Sequence, residues 1–257
     1  MNKNIVVTGG SFGIGRATVE AFLAEGDRVI FTARNEEKAN GFLMDAKDFV
    51  REGKLHFLKC DNGLEEDIKK LALYVHEKFG YCDVLVNNAA VYKGGMVHEN
   101  TAEDFDFQFG INVRGVFLTC KYFLTKMIER RSGNIVNISS LAGLRGEYNM
   151  AIYAATKAAL VSLTRSMGLD YARYGIRVNG ICPSATATPM FLTGTIEEQL
   201  NIWKNNNPTG RIGEASDIAP VVVFLASDNA SYINAQLISV DGGLSSWSGE
   251  PRQDRVL

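Results

Sequence analysis

The chain is 257 residues long, 46% hydrophobic, and carries 27 basic against 29 acidic side chains for a net charge of −2. That size supports one large α/β domain or two small ones with a sizeable core, and the near-neutral balance argues against the broad positive surfaces that bind nucleic acid or anionic membranes. No apolar run is long enough to span a bilayer, and residues 1–4 lead into a strand without a signal peptide, so a cytoplasmic location is expected.

The first strand is the β-branched run KNIVVT at 3–8. It feeds Gly9-Gly10-Ser11-Phe12-Gly13-Ile14-Gly15 and then a helix from Arg16, with Ile14, Ala17, Thr18, Ala21 and Phe22 on one side. Glycines at a strand-to-helix turn take φ angles closed to other residues and let backbone N–H groups approach a ligand. The helix N-terminus adds partial positive charge, which suits a pyrophosphate. The spacing is G-x-x-x-G-x-G rather than G-x-G-x-x-G, and by itself it also fits a plain tight turn.

Further along, strands are predicted at 27–32, 54–59, 83–86, 133–138, 176–181 and 236–240. Helices are predicted at 36–50, 64–79, 101–129, 153–174 and 215–226. The helix at 64–79 places Ile68, Leu71, Ala72 and Val75 on one apolar face. The strands are continuous apolar runs rather than alternating ones, the pattern of parallel strands covered on both faces. Strand and helix alternate without a repeat or a linker. The fold class is therefore α/β, a single doubly wound domain over 1–257 with a mostly parallel seven-stranded sheet and helices on both faces. Ligands of such folds bind beyond the carboxyl ends of the strands, so the residues that follow strands carry the information.

Tyr153 and Lys157 stand one helical turn apart on one face. Either they are a capping tyrosine beside a solvated lysine, or they are an acid/base pair. Bringing a tyrosine from a pKa of ~10 toward ~7 requires about 4 kcal/mol. A cation ~4 Å away at an effective dielectric of ~20 supplies about as much. The strand at 133–138 ends in Ser139-Ser140, at the ligand edge. Asn112 lies inside the long helix at 101–129, where asparagine is a poor helix former and reads as a bend. The cysteines Cys60, Cys82, Cys120 and Cys182 are far apart and read as buried thiols. His56, His76 and His98 have no metal-ligand spacing, so no metal site is expected.

In order and spacing these stretches resemble the short-chain dehydrogenase/reductase family over nearly the whole chain. Thr8 to Gly15 is similar to the family's cofactor loop. Asn87-Asn88-Ala89-Ala90 resembles N-N-A-G with Ala90 for glycine, and Tyr153 with Lys157 matches Y-x-x-x-K. Pro183 to Thr188 resembles P-G-x-x-x-T with Ser184 for glycine, and Val240-Asp241-Gly242-Gly243 resembles V-D-G-G. The two departures ask for backbone angles that a Cβ tolerates at Ala90 and Ser184. The family's serine lies 13 residues before its tyrosine, which selects Ser140, with Gly143 in the same register and Ser139 turned inward.

The resemblance implies a Rossmann domain and an NADP(H)-dependent oxidoreductase interconverting a secondary alcohol and a ketone. Tyr153 becomes the general acid/base and Ser140 the hydrogen-bond donor to the reacting oxygen. Lys157 lowers the Tyr153 pKa and binds the nicotinamide ribose, and Asn112 holds a water linking Lys157 to solvent. Gly9, Ser11, Phe12, Gly13, Ile14 and Gly15 cradle the cofactor. Asp61 and Asn62 lie at the adenine edge, Asn88, Ala89 and Ala90 flank the adenosine ribose, and Pro183, Thr186 and Thr188 hold the carboxamide end. Ala33 stands where NAD-preferring relatives place an acid, and Arg34 follows it. NADP(H) is therefore preferred, with NAD(H) possible, and the preference is tempered by Phe12 at a position where many NADP-preferring relatives are basic.

Residues 190–208 form the expected substrate lid, with Met190, Phe191, Leu192, Ile196, Leu200, Ile202 and Trp203. Together with Leu141, Leu144, Tyr148 and Met150 they predict an apolar pocket for an apolar or cyclic ketone. The alternatives are a 3-oxoacyl-carrier reductase, disfavoured by the lack of a basic cluster in the lid, and a non-catalytic dinucleotide-sensing protein, disfavoured by the complete Ser140–Tyr153–Lys157 set. Dehydration or epimerisation of a nucleotide sugar would call for a longer C-terminal domain. The family also implies a D2 homotetramer through the helices at 153–174 and 215–226, with Phe224, Leu225 and Tyr232 as interface residues.

Overall fold

The structure, a computed structural model, describes residues 2–250. The glycine loop joins β1 (Asn4–Val7) to α1 (Gly13–Ala24), and β2 (Arg28–Ala33) follows. Then come α2 (Glu36–Asp45), α3 (Lys47–Arg51), β3 (Leu55–Lys59), α4 (Glu65–Phe79) and β4 (Val84–Asn87). The middle of the chain holds α5 (Ala102–Phe109), α6 (Gly115–Arg130), β5 (Gly133–Ile138), α7 (Ala151–Tyr171) and β6 (Ile176–Pro183). The remainder is β7 (Thr186–Ala187), α8 (Pro189–Leu192), α9 (Glu197–Asn205), β8 (Gly213–Glu214), α10 (Ala215–Ala226) and β9 (Leu237–Val240).

Seven strands form one sheet in the order β3-β2-β1-β4-β5-β6-β9, and every pairing is parallel. Side chains alternate between its two faces. Ile5, Val7, Val29, Phe31 and Val136 pack on one side under α1, α2 and α10. Val6, Ile30, Leu85, Ile135 and Val178 pack on the other under α4, α6 and α7. The direction of winding reverses between β1 and β4, which opens a crevice at the carboxyl ends of those strands. Among the described residues no helix is long and apolar enough to cross a membrane.

Three local features differ from the sequence expectations. The buried face of α1 is Thr18, Val19, Phe22 and Leu23, turned away from Ala17 and Ala21 because α10 packs there. The helix expected at 101–129 is interrupted by a π turn at Gly110–Arg114, the irregularity that carries Asn112 inward. Leu225, expected at an interface, is fully buried against the sheet, since α10 turns that side of itself to the core. Phe224 and Tyr232 are exposed.

Candidate active site

A cleft of about 620 Å³ runs along the carboxyl ends of the strands. It is lined by Gly9, Ser11, Phe12, Gly13, Ile14, Gly15, Arg34, Asp61, Asn62, Asn88, Ala89, Ala90, Pro183, Thr186 and Thr188, by Ser140, Tyr153 and Lys157, and by Met190. Two positions in the loop tolerate no side chain. Gly9 has φ +65°, and a Cβ there would lie 2.9 Å from Ala89 Cα. A Cβ on Gly15 would lie 2.2 Å from the Gly9 carbonyl oxygen. The Asn88 amide donates to the Thr8 and Gly9 carbonyls at 3.0 and 2.9 Å, and the Thr8 hydroxyl accepts from the Asn88 and Ala89 N–H groups at 3.0 Å each. The loop after β4 is thereby locked to the glycine turn. Ala90 and Ser184, where the motifs depart from glycine, are not among the residues of positive φ. Ser11 Oγ and Asn62 Nδ2 are buried on the cleft wall without a hydrogen-bond partner, and a polar ligand in the cradle would satisfy both. The cradle therefore fits a dinucleotide.

Arg34 follows β2 and is half exposed, 4.0 Å from the Asp61 carboxylate. A second cation, not anticipated from the sequence, stands beside it. The Asn35 side chain accepts from Lys38 N–H at 2.9 Å and so caps α2. That cap sets Lys38 in the first turn, where its Nζ lies 5.1 Å from the centroid of the Phe12 ring. A basic side chain from another element thus stands beside Phe12. Asn35 followed by Glu36 and Glu37 is the sequence signal for this cap.

At the other end of the cleft, β5 delivers two serines to opposite sides. Ser139 Oγ donates to the Lys157 carbonyl at 2.9 Å and faces inward, and Ser140 faces the cleft. Gly143 lets the chain after β5 press on α7, since a Cβ there would sit 2.7 Å from Lys157 C. Lys157 is 2% exposed and donates to the Ile138 carbonyl at 2.8 Å, with Nζ 5.5 Å from the Tyr153 ring centroid. Beneath these residues Asn87 donates to Asn137 at 2.9 Å and Asn137 to Thr164 at 2.8 Å, a buried chain joining β4, β5 and α7.

Asn112 does not line the cleft. Its Oδ1 accepts from Val91 N–H at 2.8 Å, and its Nδ2 donates to the Val91 carbonyl and to Thr156 Oγ1 at 2.9 and 3.1 Å. Both ends of the amide are committed to protein, which makes Asn112 a positioning residue that pins the loop after β4 to α7.

The electrostatics also differ from the sequence argument. Burial pushes the Tyr153 phenol above its usual range; a hydrogen bond from Ser140 pulls it partly back, and Glu147 and Tyr92 push it further up. Burial lowers Lys157 to about 8. Burial dominates, so the Tyr153 phenol stays above its usual range although Lys157 stands close, and the Lys157 ammonium donates to the Ile138 carbonyl, a contact invisible in the spacing of four residues.

At the substrate end, Phe191 and Trp203 meet edge to face with centroids 5.7 Å apart, and both line the cleft with Met150 and Met190. Leu141 and Tyr148 do not. They line a smaller adjoining pocket of about 290 Å³, because the chain after Ser140 turns away before α7 begins, and Tyr148 is 97% exposed. Leu192, Ile196 and Ile202 of the lid face outward. Tyr92 and Glu147 take the vacated positions. Tyr92 stands edge to face with Tyr153 at 5.4 Å, and Glu147 is half-buried beside both tyrosines. The one sequence signal for Glu147 is that it is the lone acid between Ser140 and Tyr153.

A family model described as enoyl-(acyl carrier protein) reductase matches residues 9–245. The chain is 35% identical to the meso-2,3-butanediol dehydrogenase of Serratia marcescens, over 98% of each chain. Its fold is similar to the crystal structure of levodione reductase, with a TM-score of 0.90, 35% identity, and 95% of this chain and 98% of that one covered. It is also similar to the structure of ElxO with NADP bound, with a TM-score of 0.90, 30% identity, and 96% and 100% covered.

Proposed function

This chain belongs to the short-chain dehydrogenase/reductase family, and we propose that within it the protein is an NADP(H)-dependent oxidoreductase interconverting a secondary alcohol and a ketone, with Tyr153 as general acid/base. The observation that carries this reading is the placement of Ser140, Tyr153 and Lys157 at one end of a cleft whose other end is a glycine cradle flanked by Arg34 and Lys38. When bound, the nicotinamide cofactor supplies or accepts the hydride at the carbonyl carbon. The chain's own residues handle the oxygen. Ser140 donates a hydrogen bond to it, and Tyr153, held as a neutral phenol by burial, gives it a proton as charge develops in reduction. In oxidation the same oxygen returns that proton to Tyr153. Lys157 is the buried cation that balances a transient phenolate.

The name of levodione reductase and that of meso-2,3-butanediol dehydrogenase support a small ketone or alcohol as substrate. Among the described residues the cations on the cleft wall are Lys157, Arg34 and Lys38, with the latter two at the glycine-loop end. Lys157 is committed to the Ile138 carbonyl, and apart from it the substrate end of the main cleft holds no cation for a carrier phosphate among the described residues, which supports a small free ketone over an acyl carrier.

The choice of NADP(H) rests on Ala33, Arg34 and Lys38, and the likeness to ElxO with NADP bound supports it. Arg34 can bind a 2′-phosphate with a two-pronged, charge-assisted contact. Arg34→Ala is expected to cut kcat/KM for NADPH about 10- to 150-fold while sparing NADH. Lys38→Ala should cost no more than about 5-fold, the scale of an exposed ion pair. Steady-state kinetics with both cofactors checks this. Equal losses with NADPH and NADH, or a wild-type preference for NADH, would contradict the assignment.

A further inference from the structure

Glu147 is an unassigned acid inside the substrate end of the cleft. The loop that carries it is held in place. Gly95 N–H donates to the Asn149 carbonyl at 2.9 Å, and Asn149 takes φ +58°, a left-handed conformation that asparagine tolerates, to turn the chain toward α7. Glu147 therefore stands on the wall between the main cleft and the smaller adjoining pocket, and it lines both. Its charge adds to burial in holding the phenols of Tyr153 and Tyr92 above their usual range. Among the described residues it makes no hydrogen bond and no ion pair, and only burial acts on it, raising its carboxyl pKa. The neighbouring Arg145 does not serve it, since that guanidinium donates to the Ser245 carbonyl at 2.5 Å.

A half-buried carboxyl without a donor carries a desolvation cost that a ligand can relieve. The walls around it are Tyr92, Met150, Phe191 and Trp203, so among the described residues it is the one acidic group at that end of the cleft. On this basis, and resting on the oxidoreductase reading above, we propose that Glu147 is a specificity-determining residue that accepts a hydrogen bond from a second hydroxyl of the substrate, which makes the substrate class diols and hydroxyketones rather than plain ketones. A hydroxyl suits the site better than an ammonium. It can donate to the carboxylate and can also accept from the carboxylic acid, so it is satisfied in either protonation state, whereas an ammonium needs the ionised form. The apolar walls then hold the carbon skeleton. The apolar ketone expected from the lid sequence acquires one polar contact.

Matched substrates isolate the contact. Acetoin is compared with 2-butanone, and 2-hydroxycyclohexanone with cyclohexanone, each reduced with NADPH by wild type, Glu147→Ala and Glu147→Gln. Taking the ratio of kcat/KM for hydroxyketone over plain ketone cancels any effect of Glu147 on Tyr153 itself. Wild type should favour the hydroxyketones. Glu147→Ala should reduce that ratio about 10- to 150-fold, the range for a hydrogen bond to a charged group, mostly through KM. Glu147→Gln keeps an acceptor oxygen and should recover part of it. An unchanged ratio in Glu147→Ala overturns the inference. If wild type oxidises NADPH with none of the ketones, plain or hydroxylated, the oxidoreductase reading itself has failed. If wild type reduces all four with no preference, only the role of Glu147 has failed.

Discussion

Tyr153→Phe is expected to lower ketone reduction by about 10²- to 10⁴-fold, the usual contribution of a positioned acid or base, while leaving NADPH affinity close to wild type. The substitution removes only the O–H. The ring stays packed edge to face on Tyr92, and Lys157 keeps its bond to the Ile138 carbonyl, so the cleft should hold its shape. What is lost is the proton donor to the developing alkoxide. Because burial, Glu147 and Tyr92 all favour the neutral phenol, reduction should proceed well at neutral pH, and alcohol oxidation, which begins from the phenolate, should gain as pH rises. Turnover by Tyr153→Phe within a few-fold of wild type, measured beside an NADPH binding titration, would remove Tyr153 from the chemistry.

Lys157→Met should separate activity from stability. Lys157 falls from 10.5 to about 8 on folding, because burial disfavours its ammonium. The sign follows from proton counts. Below pH 8 both the folded and unfolded states hold the proton, and the fold carries the full cost of the buried charge, about 3 kcal/mol at 1.36 kcal/mol per pH unit. Between about 8 and 10.5 the unfolded chain holds a proton that the folded one has released, so stability rises with pH across that window. Methionine is similar in length and uncharged. It removes the cost but leaves the Ile138 carbonyl without its donor, a loss of about 1 kcal/mol. The net expectation is a variant more stable than wild type by roughly 2 kcal/mol at pH 7, with the difference falling to about zero near pH 10 and reversing above the window, and turnover reduced about 10²-fold or more. Chemical denaturation at pH 7 and pH 10 checks it. A variant less stable at pH 7, or a gap that ignores pH, would show that the Lys157 charge is well compensated in the fold.

Much of the site was legible because its residues sit where topology demands them. The glycine loop follows β1, Asn88 follows β4, Ser140 lies just past β5 and Thr186 just past β6, so locating strand ends located the cleft. The parallel pairing was legible in the continuous apolar strands and alternating helices, whereas the strand order comes from the structure. The contacts that escaped are made between elements distant in sequence. Lys38 reaches Phe12 only because the Asn35 cap fixes where α2 starts. Asn112 reads as a helix defect, and the defect is real, yet its purpose is the bond to Val91, 21 residues away. The 153/157 spacing placed Lys157 beside Tyr153 but could not reveal the Ile138 carbonyl that holds its ammonium. Leu141 and Tyr148 lie in the right stretch for the pocket, but the turn set by Asn149 gives their place to Glu147.

The most direct test is isotope transfer. NADPH carrying deuterium on one face of C4, and separately on the other, is incubated with 2-hydroxycyclohexanone and the wild-type protein, and the diol product is analysed by mass spectrometry. The account predicts deuterium on the carbinol carbon from one of the two labelled cofactors only, and none formed by Tyr153→Phe in the same time. Oxidation of NADPH that does not depend on a ketone, or a reduced product carrying no label from either cofactor, would contradict it.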